Sequence, residues 1–191
     1  MASILKVNEI QHTGGNSAIT VSSTGQVIPK CYAIRATTHK ANNWTTGGAS
    51  AGTAITFNNT TSYSAFNSGF NVSNLATDGK FHFPVDGIYR VTASFLTMNN
   101  NGAGNTYVTA AFNSTTGVGG YPQTTLQNCY DYVPANQHHL IKISTIVKAT
   151  SSDYVCICKE DSMQYYGNGT NLASQTWGYN QCCIELIGSS V

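Results

Sequence analysis

Residues 78–98 read Asp78-Gly79-Lys80-Phe81-His82-Phe83-Pro84-Val85-Asp86-Gly87-Ile88-Tyr89-Arg90-Val91-Thr92-Ala93-Ser94-Phe95-Leu96-Thr97-Met98. Gly79 permits a tight turn into a short predicted strand, Lys80–Pro84, in which Phe81 and Phe83 share one face. Pro84 has no N–H to give a ladder, so the strand ends there or lies at an edge. Gly87 permits the next corner. Beyond it, alternation puts Tyr89, Val91, Ala93 and Phe95 on one side, and Ile88, Arg90, Thr92, Ser94, Leu96 and Met98 on the other. The first side is a core stripe. The second has apolar ends and a polar middle, as expected of a strand face that partly meets another subunit.

The same reading repeats along the chain. Short apolar-alternating runs at Cys31–Ala36, Thr53–Asn58, Tyr107–Asn113, His139–Lys148, Asp153–Lys159 and Gln181–Ile187 are separated by Gly/Asn/Ser/Thr turns. Many short strands with turn signals between them predict a sandwich or barrel. Residues 97–105 and 160–180 read as exposed loops. Residues 1–28 form a separate piece. Two β-prone runs, around Ile4–Ile10 and Ala18–Ser22, flank the turn cluster His12–Ser17, and Gln26–Ile28 follows a second turn. Three strands this short bury too little to stand alone, so they are expected to dock on something.

Composition supports the all-β reading. The 191 residues include 24 Thr, 19 Asn and 18 Ser, about a third of the chain, while charged residues make up only 9%, against about 25% in an ordinary domain. No stretch is rich in the Ala, Leu, Glu, Lys and Arg that favour long helices. A net charge of +1 without a Lys/Arg cluster argues against a nucleic-acid binder, whose affinity rests on phosphate neutralisation. No apolar run approaches the ~18 residues of a membrane span, and the N-terminus lacks a signal-peptide core.

The Gly79–Val91 block resembles the signature of C1q/TNF-like jelly rolls, a Gly-Lys-Phe followed by Pro-x-x-Gly-x-Tyr-x-aromatic, with Val91 in place of the usual Phe. Thr53–Phe57 and Asn67–Phe70 sit where that family has its Ile-Thr-Phe strand and an aromatic-Asn loop. Ser152-Asp153-Tyr154-Val155-Cys156-Ile157 resembles its Gly-Asp-x-Val-x-Val strand, with Ser152 for Gly, and Asn180–Ile187 sits where its last central strand ends the domain. The resemblance spans roughly residues 30–191. It implies a jelly-roll β-sandwich that assembles as a homotrimer.

The N-terminal run from Leu5 to Val27 resembles a short module that opens many structural proteins of tailed bacteriophages, notably marine and cyanobacterial ones. Together the two resemblances imply a virion protein assembled in the host cytoplasm. Residues 1–28 would be the virion-anchoring segment, hairpin-like, and residues 29–191 the C1q/TNF-like head. Leu5, Val7, Ile10, Ile19 and Val21 form the anchor's apolar stripe, and Phe81, Phe83, Tyr89, Val91 and Phe95 the head core. Partners would be further copies of the chain, other phage capsid or tail proteins, and host-surface glycans. Capsid decoration and tail-fibre knob both remain open. The alternative is a soluble secreted C1q-like lectin or adhesion module.

Candidate chemistry is sparse. No Ser elbow of the Gly-x-Ser-x-Gly kind is present, and the acids do not cluster, so no catalytic residue, cofactor or metal is assigned. His138 and His139 are adjacent and would point to opposite faces of a strand, which favours hydrogen bonding over metal ligation. Cys156 and Cys158 share a face, Cys182 and Cys183 do not, and the spacing is not that of a zinc site. Of the six cysteines, Cys31 and Cys129 included, buried free thiols are expected ahead of disulfide pairing, with metal binding third. Trp44, Tyr121, Tyr165, Tyr166 and Trp177 lie in stretches with Asn and Gly. Such rings stack on sugars, seal protein interfaces or pack under loops, and the sequence leaves the three open.

Overall fold

Alternation over 87–98 becomes the longest described strand of the molecule. The computed structural model describes residues 9–11, 17–21, 27–29, 32–37, 44–45, 54–57, 59–62, 69–71, 73–99, 104–115, 125–135, 137–159, 163–166 and 180–188, with side chains over 32–36, 54–57, 69–71, 73–97, 107–115, 125–129, 131–135, 137–159 and 180–188. Every element among them is a strand. In chain order these are β1 (Glu9–Gln11), β2 (Ser17–Val21), β3 (Val27–Pro29), β4 (Ala33–Thr37), β5 (Trp44–Thr45), β6 (Asn59–Ser62), β7 (Phe81–His82), β8 (Gly87–Asn99), β9 (Gly104–Phe112), β10 (Thr125–Val133), β11 (His138–Ala149), β12 (Tyr154–Lys159), β13 (Met163–Tyr166) and β14 (Gln181–Gly188).

Two antiparallel sheets build the sandwich. One has four strands in the order β10-β9-β12-β7; the other has seven, running β5-β13-β8-β14-β4-β6 with β11 along the other side of β8. A third, three-stranded sheet, β1-β2-β3, holds the N-terminal run. Its register sets Ile10 across from Ile19 and Ile19 across from Pro29, with Val21 across from Val27.

Long strands form where β-branched and aromatic residues alternate with small polar ones. In β8 the buried Tyr89, Val91, Ala93, Phe95 and Thr97 point between the sheets. From β11, Ile141, Ile143, Val147 and Ala149 join them, and β14 and β12 add Cys182, Ile184, Val155 and Ile157. Aromatic rings fill the middle. Phe57 meets Phe81 edge-on at 5.0 Å, and Phe83 lies 4.6 Å from Tyr89 between centroids. Gly79 turns at φ +68°, and a Cβ there would run into the Ile55 carbonyl oxygen; only glycine fits the corner ahead of β7.

Three expectations from the sequence are corrected. Residues 160–180 do not read wholly as loop, because β13 lies within them. Strand β8 outruns β14, whose register reaches only Gln181 opposite Ser94, and β13 pairs Thr97–Asn99 instead, so those backbone groups do not go unpaired. The 97–105 loop is likewise shorter than expected, since β8 continues to Asn99 and β9 starts at Gly104. Of the predicted strand at Thr53–Asn58, only Ala54 forms a bridge, to Cys158. Ile55 and Phe57 are buried and donate their N–H groups to the Ile157 and Leu75 carbonyls, at 2.7 and 2.9 Å.

Strand β10 was not expected at all. Gln127, Asn128 and Asp131 interrupt its alternation, and the register slips between Thr125 and Gln127. Gln127 and Asp131 close the sandwich edge towards β11, while Asn128 bonds its cross-strand neighbour within the sheet. The Ser144 N–H on β11 donates to Gln127 Oε1 at 2.9 Å, Thr109 Oγ1 donates to Asn128 Oδ1 at 3.0 Å, and Asp131 Oδ2 lies 3.0 Å from His139 Nδ1. Side chains that occupy an edge in this way discourage further strand pairing.

Candidate functional site

The outward residues of the seven-stranded sheet come from β11, β8, β14 and β4, and the register arranges them in rows. At one end Leu140 stands beside Leu96. Next come Lys142, Ser94 and Gln181, then Ser144, Thr92, Cys183 and Arg35. The fourth row is Ile146, Arg90 and Glu185, with Lys148 beside Ile88 beyond it. The mixed side of β8 seen in the sequence is thus one stripe of a wider mixed face.

Exposed aliphatic side chains flank its middle rows. Leu140 is 47% exposed and Ile146 59%; Ile187, at the bulge in β14, is 41% exposed. Tyr132 on β10, at 56%, is the other large exposed apolar residue among those described. Exposed aliphatic side chains grouped on one face mark an interaction surface more than scattered ones do. Arg90 Nη1 and Glu185 Oε1 pair at 2.8 Å across β8 and β14.

Between the rows of Leu140 and Ile146 the small side chains leave a hollow of about 280 Å³, lined by Thr92, Ser94, Lys142, Ser144, Gln181 and Cys183 above the backbone of Ala93 and Ile143. The Thr92 hydroxyl donates to the Cys183 carbonyl at 3.3 Å. Burial pushes the Cys183 thiol up; neighbouring Arg35 pulls it down and Glu185 adds to the rise. Arg35 Nε is itself buried without a hydrogen-bond partner.

The residues singled out from sequence distribute as follows. Phe81, Phe83, Tyr89, Val91 and Phe95 are all buried in the core between the sheets. Ile10, Ile19 and Val21 lie in the three-stranded sheet, while Leu5 and Val7 fall outside the described residues. Strand pairing brings Trp44 opposite Tyr166 and Thr45 opposite Tyr165 at the end of the seven-stranded sheet. Tyr121 and Trp177 fall outside the described residues, as does Cys31. Sequence reasoning missed Lys142, Cys183 and Arg35 as neighbours, because the register of three strand pairs, not any local pattern, sets them side by side.

Cys129, Cys156, Cys158, Cys182 and Cys183 are free thiols. Cys156, Cys158 and Cys182 are buried and their ionisation is suppressed by that burial, with Cys158 pushed up to about 12. Thiols held neutral in this way are poor nucleophiles and poor metal ligands. Among the described residues no three His, Cys, Asp or Glu side chains converge on a point that could hold a metal ion.

No family model matches this sequence, and no curated protein matches it. Solved structures do. The chain resembles Eiger TNF from S. frugiperda at a TM-score of 0.60 and 8% identity, over 85% of this chain and 96% of that one. It resembles murine APRIL at 0.50 and 9%, over 83% and 100%. It resembles the globular domain of the zebrafish complement 1qA protein at 0.52 and 12%, over 82% and 96%. The fold is therefore an all-β, C1q/TNF-like jelly roll.

Proposed function

We propose that this chain is a non-enzymatic structural protein of a phage virion, built as a homotrimer of C1q/TNF-like heads. Residues 1–28 are the anchoring segment, and residues 29–191 the head displayed as a capsid decoration or a tail-fibre knob. The observation that carries the trimer is the outward face of the seven-stranded sheet, where Leu140, Ile146 and Ile187 lie exposed on a surface whose alternate residues already fill the core. Covering such side chains with like surfaces of neighbouring copies is favourable at about 25 cal/mol per Å² of apolar area. The phage assignment rests on the Leu5–Val27 run and its resemblance to virion modules. Three heads held together present three sets of Asn-, Gly- and Tyr-rich loops, and this multivalency lets weak contacts with host-surface glycans act as one strong attachment.

Sedimentation equilibrium tests the assembly. The full chain is expected to sediment at three times its 20.3 kDa mass, and Leu140→Asp with Ile146→Asp at one third of that. A wild-type monomer at micromolar concentration ends the homotrimer reading.

A further inference from the structure

The face assigned to the homotypic contact is unevenly charged. Arg35, Arg90, Lys142 and Lys148 all stand on it, and Glu185, already paired with Arg90, is the one acid among its described residues. Bringing copies of this face together moves cations out of water and towards one another. Both effects oppose assembly unless negative charge accompanies them. The exposed aliphatic side chains drive the contact; the middle resists it.

The hollow lies in that middle. Lys142 stands at its rim, the hydroxyl residues Thr92, Ser94 and Ser144 and the amide of Gln181 surround it, and no carboxylate lines it. A lysine ammonium among hydroxyl and amide groups is suited to an oxyanion, which takes charge-assisted bonds from the cation and ordinary ones from the Ser144 hydroxyl and the Gln181 amide, the Thr92 hydroxyl being already given to the Cys183 carbonyl. One strand beyond Cys183, outside the lining of the hollow, Arg35 Nε is a buried donor with no acceptor, and its guanidinium adds positive charge to this part of the face. A volume of about 280 Å³ accommodates a tetrahedral ion together with bridging water.

We infer that the hollow binds a free oxyanion of the phosphate or sulfate class, and that this ion neutralises Lys142 inside the trimer contact, so that assembly is linked to anion concentration. The inference rests on the homotrimer reading above. An ion enclosed by neighbouring copies stabilises the assembled form alone, and mass action then shifts the monomer–trimer balance by its binding.

The test uses the full chain in sodium chloride, with chloride replaced by phosphate at constant ionic strength. Sedimentation equilibrium reads assembly and the phosphorus NMR line width reads binding. Phosphate at ten times its Kd is expected to lower the concentration at half-assembly about tenfold or more. Lys142→Met is expected to assemble without phosphate and to ignore it, and Gln181→Leu to weaken the response while keeping Lys142. Glucose 6-phosphate, the same group on a bulkier carrier, is expected to stabilise far less; equal stabilisation places the ion outside the contact and overturns the linkage. Trimers insensitive to phosphate, with an unbroadened resonance, overturn the anion site and leave the trimer standing. A monomer at all phosphate concentrations whose line broadening vanishes in Lys142→Met upholds the site and overturns the homotrimer. A monomer with no broadening overturns both.

Discussion

The Tyr89 hydroxyl donates to the Val85 carbonyl at 2.7 Å, and its oxygen accepts from the Val85 N–H at 3.4 Å. One phenol thereby ties the corner that precedes β8 to the strand it leads into. The ring itself is fully buried, 4.6 Å from Phe83 and 6.3 Å from Phe70 between centroids. The corner and the core are thus fixed by a single side chain.

Tyr89→Phe keeps the ring and removes the tie. The Val85 carbonyl then loses its donor, and the expected loss is about 1–2 kcal/mol in chemical denaturation. The same residue adds an alkaline limb to the stability curve. Burial pushes Tyr89 up to about 12 from the ordinary 10.0, with the Val85 hydrogen bond working the other way. Its contribution is whole below the unfolded value and is lost as pH rises from there through about 12. Tyr89→Phe should flatten the fall between those pH values; an unchanged slope would show that other groups govern it.

At the same end of the sandwich, where the Phe83 N–H donates to the Asp153 carbonyl at 3.1 Å, Asp153 contributes an acid limb. Its carboxylate accepts from Asn113 Nδ2 at 2.7 Å and from the Thr150 N–H at 2.7 Å. These bonds, the one from Asn113 foremost, hold it below the usual carboxylate range. Asn113 adopts φ 53°, a left-handed conformation that asparagine tolerates better than most residues, and its Oδ1 accepts the Tyr154 N–H at 2.9 Å. Stability from Asp153 is present above the unfolded carboxylate value and is lost as pH falls through the lowered folded one. Asp153→Asn should therefore be less stable than wild type at neutral pH and approach it in acid, in urea titrations at each pH. A constant gap across that range would assign the loss to packing.

Much of this is legible in the sequence. Phe81, Phe83, Tyr89 and Val91 alternate plainly because both faces of their strands meet different surroundings, and period-two patterning records that difference. The resemblance to C1q/TNF-like heads rests on the Gly79–Val91 block, supported by Thr53–Phe57, Asn67–Phe70, Ser152–Ile157 and Asn180–Ile187. Strand β10 escaped because its polar residues serve the sandwich edge through side-chain hydrogen bonds, which leave no periodic trace. Strand β13 escaped because it exists to pair the overhang of β8, a requirement visible only once the register of β14 is known. The hollow was beyond reach for a related reason. Lys142, Ser94, Gln181 and Cys183 come from three strands far apart in sequence, and cross-strand register alone makes them neighbours.

The described thiols separate into two reactivity classes. Cys129 and Cys183 are partly accessible, whereas Cys156, Cys158 and Cys182 are enclosed, and their burial raises each of the three well above the ordinary 9.0. Under a brief pulse of a thiol reagent read by peptide mass spectrometry, the enclosed three should label only on unfolding. Cys183, which lines the hollow, should label in dilute protein and become protected as concentration rises into the trimer range. Labelling of Cys183 that ignores concentration would remove the hollow from any contact between copies.

The anchoring role proposed for residues 1–28 makes the remaining prediction. Leu5, Val7, Ile10, Ile19 and Val21 supply nearly all the aliphatic character of the first 25 residues apart from Ile4, and the strands that hold Ile10, Ile19 and Val21 are three and five residues long. Elements of that size are held in place by what they dock on rather than by their own hydrogen bonds. An acid placed in the docked stripe has to lose its hydration there, so a double change is expected to abolish attachment while sparing a head whose core lies at 34–184. Leu5→Asp with Val7→Asp should yield trimers of normal thermal stability in the infected-cell supernatant and none in purified particles, measured by immunoblot of gradient fractions. Normal incorporation of the double variant would show that the head, not residues 1–28, makes the attachment.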